Sequence, residues 1–133
     1  MIDTRTAPYA ATLLRISLGG MFIAHALLKY MVFTLPGTVK FFESIGLPGP
    51  LACVTFAAEL IGGLLIIGGV YARWVALALV PILLGATWAH AGNGWLFSAP
   101  NGGWEYPAFL VVAALAVGML GNGKFALTGP RNA

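Results

Sequence analysis

The sequence predicts an all-α membrane protein: a four-transmembrane-helix bundle with a short interfacial helix between spans 1 and 2. Three observations carry that prediction. The 133 residues are 59% hydrophobic and 8% charged. A soluble domain carries about 25% charged residues, so this chain has too few to cover a water-facing surface. Four apolar segments, at residues 8–33, 51–70, 74–91 and 104–121, each approach the ~20 residues a helix needs to cross a bilayer. None alternates as a barrel strand would, and backbone in lipid must satisfy itself, so each reads as a helix. The chain is expected to form one domain, residues 1–133.

The first span holds the most informative stretch, LLRISLGGMFIAHALLK at 13–29. Arg15, His25 and Lys29 lie inside an otherwise apolar run. At the helical period, Arg15, Phe22, His25 and Lys29 share an arc of roughly 80°. The polar groups therefore form one stripe, and Leu14, Ile16, Met21, Ile23 and Leu27 are left to face lipid.

The first connection, residues 35–50, opens on Pro36-Gly37, which is expected to break the helix. Thr38 is positioned to cap a short helix. Val39, Phe41, Phe42 and Ile45 would line one side of it, with Lys40, Glu43 and Ser44 on the other, a pattern suited to the membrane surface. Pro48-Gly49-Pro50 starts the second span. In that span Gly62-Gly63 reads as close helix packing. The second connection, Gly68 through Arg73, is tight. Pro81 is expected to kink the third span. The third connection holds Trp95, Phe97 and Trp104 among glycines and asparagines, as in the aromatic belt of the headgroup region. Pro107 falls in the first turn of the fourth span, where a missing N–H costs little.

Lys and Arg counts set the orientation. With four spans, both termini share a side with Arg5, Arg73, Lys124 and Arg131, against Lys40 on the other. The positive-inside rule then places both termini in the cytoplasm, in a multi-pass protein of the bacterial cytoplasmic (inner) membrane. No basic run with interleaved aromatics supports nucleic-acid binding. The lone cysteine, Cys53, excludes an internal disulfide, a CxxC pair and a cysteine zinc site.

Depth counting places the ionisable groups. His25 and Glu59 lie roughly 12 Å below the outer surface and Lys29 roughly 6 Å below it. His90 and Glu105 sit at outer helix ends. The expected pairs are His25 with Glu59, and Lys29 with Glu105 and His90. Arg15 lies apart, toward the cytoplasmic end, and is expected to be structural, snorkelling or bonding carbonyls at the end of the second span. Interhelical polar contacts also serve simply to fix helix register. Ionisable groups inside a membrane are nonetheless functional candidates by default, so His25, Lys29, Glu59, His90 and Glu105 form the candidate ligand- and proton-carrying set. Donors beside carboxylates in an apolar pocket suit a small molecule with carbonyl or hydroxyl oxygens, a quinone head group being one example. A metal is disfavoured, because no Glu-x-x-His pair is present. No nucleophile elbow surrounds Ser17 or Ser98.

At these residues the chain resembles the DoxX family of small four-helix bacterial membrane proteins. The resemblance rests on Arg15 with Gly19-Gly20, His25-x-x-x-Lys29, Phe41-Phe42-x-x-x-Gly46-Leu47-Pro48, and Glu59-Leu60-x-Gly62-Gly63 with Gly68. It continues through Arg73, Ala86-x-x-x-His90, Gly103-Trp104-Glu105-Tyr106 and Gly121-x-Gly123-Lys124. Family members are labelled oxidoreductases, and the related DoxD-like proteins form a subunit of thiosulfate:quinone oxidoreductase. The resemblance implies a membrane subunit of a redox system, a redox partner protein and quinone contact. With Cys53 alone, the chain lacks the cysteines a sulfur-handling site would use. The alternatives are a non-catalytic scaffold subunit of an oxidoreductase complex and a small transporter; self-association is left open.

Overall fold

The computed structural model describes residues 1–128. It is all-helical, with no strand among the described residues. Five α-helices follow in order: α1 (Ala7–Leu27), α2 (Leu35–Ser44), α3 (Pro50–Gly68), α4 (Ala72–His90) and α5 (Glu105–Leu120). Three helical stretches are long and apolar enough to cross a membrane: Ala7–Val32, Pro50–Gly68 and Ala72–Asn93. α5 is apolar but shorter, at 16 residues.

Helix boundaries follow local chemistry. α1, α2 and α3 each carry proline in the first turn, where no N–H is needed. α3 ends at Gly69, whose φ of +72° is the left-handed conformation that closes a helix at least cost. Two expectations about the first connection are corrected. Pro36-Gly37 does not break a helix but lies inside the start of α2. Thr34, not Thr38, supplies the cap: its side chain accepts from Gly37 N, and Pro36 sits where the first turn tolerates it. Thr38 is instead buried within α2. α4 runs through Pro81 without a break.

The first span departs most from expectation. α1 does not continue as α-helix to Phe33. From Leu28 to Val32 it widens into a π-helical turn, with Phe33 N donating to Leu28 O at 2.9 Å. α2 lies against this turn. The buried Thr38 hydroxyl donates to Lys29 O (3.3 Å) as well as to Thr34 O, and Tyr30 stacks on Phe56 of α3.

The helices pack as two pairs, α1 on α3 and α4 on α5, joined through α3 and α4. The α1–α3 crossing is a backbone approach between Gly19 and Gly63. A Cβ on Gly19 would lie 2.8 Å from Gly63 O, and one on Gly63 would lie 2.9 Å from Gly19 O. The apolar centre joins Leu18 and Phe22 to Ile66, Leu79, Leu83, Leu110 and Val117.

After α5, residues 121–128 fold back over the bundle end. Lys124 N donates to Pro8 O, Leu127 N to Gly68 O and Thr128 N to Gly69 O. This segment ties the start of α1 to the end of α3. Arg131, counted above in the charge asymmetry, lies outside the described residues.

Candidate functional site

The site is built from α1 upward. The stripe inferred from helical period does face inward: Arg15 and Phe22 are buried, and His25 and Lys29 are partly so. The two ends of the stripe then meet different surroundings.

At one end, Arg15 is 1% exposed. Its guanidinium donates to Ile66 O at 2.9 Å, to Ile67 O, and to Lys124 O at 3.0 Å. These carbonyls belong to the last turn of α3 and the returning segment. A cation at a helix C-terminus meets the negative end of the backbone dipole, and a guanidinium has a planar fork of donors to meet several oxygens. Nε remains buried without a partner among the described residues. Arg15 is placed as a clamp on backbone, apart from the other candidates.

At the other end, Lys29 Nζ donates to both oxygens of Glu59, at 3.1 and 2.9 Å. The side chains are 17% and 8% exposed. This corrects the expected pairing of His25 with Glu59 and of Lys29 with Glu105 and His90. Depth counting assumed a uniform α-helical rise. The π turn adds a residue to the turn that carries Lys29 and so re-aims its side chain. Lys29 reaches inward and down along α3 to the carboxylate that His25 was expected to hold.

His25 instead meets a residue not among the candidates, Tyr106 in the first turn of α5. His25 Nε2 lies 3.3 Å from the Tyr106 hydroxyl, and the rings stack with centroids 5.4 Å apart at 23°. The signal that could have found Tyr106 is its place next to Glu105 in the first turn of α5; its neighbours Trp104 and Pro107 gave it the look of a belt residue.

His90 lies at the end of α4. Its Nδ1 is 3.5 Å from Asn93 Nδ2, which also donates to Gly102 O at 2.8 Å and Asn101 O at 3.2 Å. Glu105 is not brought to Lys29. Its Oε1 accepts from Phe97 N at 3.1 Å, and its own N donates to Trp95 O. An acid in a first helical turn is favoured by the local dipole, and here it fastens the preceding loop. Trp95 and Trp104 close that loop edge to face, centroids 4.6 Å apart.

These groups surround a cavity of about 450 Å³. His25, Lys29, Glu59, His90 and Tyr106 supply its polar wall. Phe22, Leu83, Pro107 and Leu110 supply apolar wall, and Phe97, Gly102 and Gly103 of the loop form its rim. Four of the five sequence candidates therefore share one cavity, and Glu105 stands behind its rim. Among the described residues no group of three His, Cys, Asp or Glu could hold a metal ion. Cys53 is exposed and does not line this cavity.

A family model described as DoxX matches residues 10–92, a range that includes His25, Lys29, Glu59 and His90. A Bacillus subtilis (strain 168) protein named "Putative oxidoreductase CatD" is 43% identical over 74 residues, 56% of this chain and 54% of that protein. The match therefore spans about half the length of the curated relative. No solved structure matches the chain.

Proposed function

This chain belongs to the DoxX family, and we propose that it is an integral membrane subunit of a redox system whose cavity takes a small oxygen-bearing molecule such as a quinone. In this reading the protein forms one four-span domain. α1 with its π turn, α3, α4 and α5 cross the bilayer, and α2 lies at the outer interface. α5 covers roughly 24 Å, short of the ~30 Å hydrocarbon core. Its packing along α4, with Ala113, Ala114 and Val117 buried, supports a crossing completed by its flanking segments. The lysine and arginine asymmetry supports cytoplasmic termini in an inner membrane, which puts the cavity in the outer half of the bundle.

The observation that carries the functional reading is the convergence of His25, Lys29, Glu59, His90 and Tyr106 on one largely apolar cavity. A neutral head group has flat apolar surface and carbonyl oxygens. The apolar wall suits the first. The Lys29 ammonium, the Tyr106 hydroxyl and the histidine ring nitrogens suit the second, since each can donate to an oxygen. His25, His90 and Glu59 are groups able to take up or release protons, which quinone chemistry requires. No flavin, haem or iron–sulfur motif accompanies them in the sequence, so electrons would come from a redox partner protein. The name of the Bacillus subtilis relative is consistent with that class of chemistry.

The test is direct. Protein reconstituted in lipid nanodiscs should bind a short-chain naphthoquinone saturably, against empty nanodiscs as control. His25→Ala and Tyr106→Phe should each weaken binding while the helical content and gel-filtration profile stay intact. Saturable binding that both variants leave untouched would place the ligand elsewhere and reject the reading.

The mutual satisfaction of Lys29 and Glu59 favours a second reading, a non-catalytic scaffold subunit held together by its buried charges. It predicts that Glu59→Gln lowers thermal stability, that no quinone binds, and that a redox partner is recovered with the protein.

A further inference from the structure

The cavity contains one cation and one anion, and each answers the other. Lys29 Nζ bonds both Glu59 oxygens. Among the described residues no other Asp, Glu, Lys or Arg lines the wall. The remaining polar groups of the wall, His25, His90 and Tyr106, add no carboxylate, ammonium or guanidinium. The cavity therefore has no net charge to offer a ligand.

That balance has a chemical consequence. An anion entering this wall must either draw Lys29 away from Glu59, leaving that carboxylate unpaired, or enter with no counter-charge of its own. A cation meets the same difficulty with Lys29. In surroundings of low dielectric an uncompensated charge is costly. A neutral ligand leaves the pair intact. Lys29 has three N–H donors, and two are held by Glu59, so one remains for an incoming oxygen. The Tyr106 hydroxyl and a histidine N–H add further donors to the same wall.

We infer that the Lys29–Glu59 pair is a charge filter: the cavity admits uncharged carbonyl compounds and rejects carboxylates and enolates of the same size. The inference rests on the small-molecule reading of the cavity given above, and makes Glu59 a specificity-determining residue whose work is to neutralise Lys29. It also predicts what happens when the filter is broken. With Glu59 replaced by an uncharged isostere, Lys29 becomes an unanswered cation facing the cavity, and the preference should turn toward anions.

Two probes of nearly equal size separate the cases: menadione, which is neutral, and 2-hydroxy-1,4-naphthoquinone, which is an anion at neutral pH. Binding to protein in zwitterionic nanodiscs, corrected for empty nanodiscs, should favour menadione in the wild type. Glu59→Gln should raise the ratio of anion to neutral affinity by at least about tenfold, as expected for one unscreened charge a few ångströms away. The double variant Lys29→Gln/Glu59→Gln should return the ratio to within a few-fold of wild type. An unchanged ratio in Glu59→Gln, or a wild-type preference for the anion, overturns the inference while leaving the cavity a binding site. Failure of the wild type to bind either probe rejects the cavity reading and the inference with it. Should Glu59→Gln fail to fold, Lys29→Gln carries the test. It should lower the ratio further below wild type, and an unchanged ratio there is equally fatal.

Discussion

Gly19 and Gly20 are adjacent in sequence, yet one methyl group should act differently at the two positions. A Cβ on Gly19 would lie 2.8 Å from Gly63 O and 3.1 Å from Ile67 N, both backbone atoms, and 2.6 Å from Ile67 Cγ1. The side-chain contact can be relieved by a rotamer change; the backbone contacts cannot. α1 and α3 must therefore separate by several tenths of an ångström along the tightest crossing in the bundle. Overpacking of this kind costs about 1–3 kcal/mol. A Cβ on Gly20 meets nothing within 4 Å. There, alanine gains the helix propensity that glycine lacks, up to about 1 kcal/mol. The same gain applies at Gly19, so the difference between Gly19→Ala and Gly20→Ala isolates the packing cost at about 1–3 kcal/mol. The assay is thermal unfolding of purified protein in one detergent, followed by tryptophan fluorescence. Gly20→Ala should melt at or above wild type and Gly19→Ala several degrees below Gly20→Ala. Equal melting of the two variants would refute the close α1–α3 crossing.

Three further outcomes follow from the same contacts. Lys29→Met strands a carboxylate that is 8% exposed and should cost about 3–5 kcal/mol, whereas Lys29→Met/Glu59→Leu should recover most of it in the same melting assay; a double variant as unstable as the single one would count against the pairing. Arg15→Lys keeps the charge but not the fork, so it should destabilise by more than the ~0.6 kcal/mol average of a polar contact in a membrane, and a melting temperature equal to wild type would contradict the three-carbonyl clamp. Glu105→Ala removes the acceptor of Phe97 N and should loosen the loop that holds the Trp95–Trp104 contact, read as a changed tryptophan emission with overall stability within about 0.5 kcal/mol of wild type; an unchanged spectrum would deny Glu105 that role.

Much of this arrangement is written in the residue order, and the exceptions have identifiable physics. The inward stripe of Arg15, Phe22, His25 and Lys29 follows from helical period alone, because a charge in an apolar run has only one favourable direction to face. The carbonyl partners of Arg15 follow from depth, since it lies level with the end of α3. The partner of Lys29 does not follow, because a π turn changes azimuth without changing composition. Nothing in LKYMV distinguishes five residues in a wide turn from five in a regular one. Tyr106 was hidden by its neighbours: aromatic residues at an apolar helix start read as interface anchors, and only the fold shows which one turns toward His25. Glu105 was misplaced for the opposite reason. Its depth matched Lys29, but an acid at the first turn of a helix has backbone amides of its own preceding loop within reach.

The clamp around Arg15 also sets an order of assembly. Its acceptors lie 51, 52 and 109 residues further along the chain. An arginine left unanswered inside a bilayer is costly. The clamp therefore cannot close before Ile66, Ile67 and Lys124 have all been made. The same oxygen that completes the arginine's shell also accepts the Thr12 hydroxyl at 2.7 Å, so the last described turn of chain fastens to the first helix made.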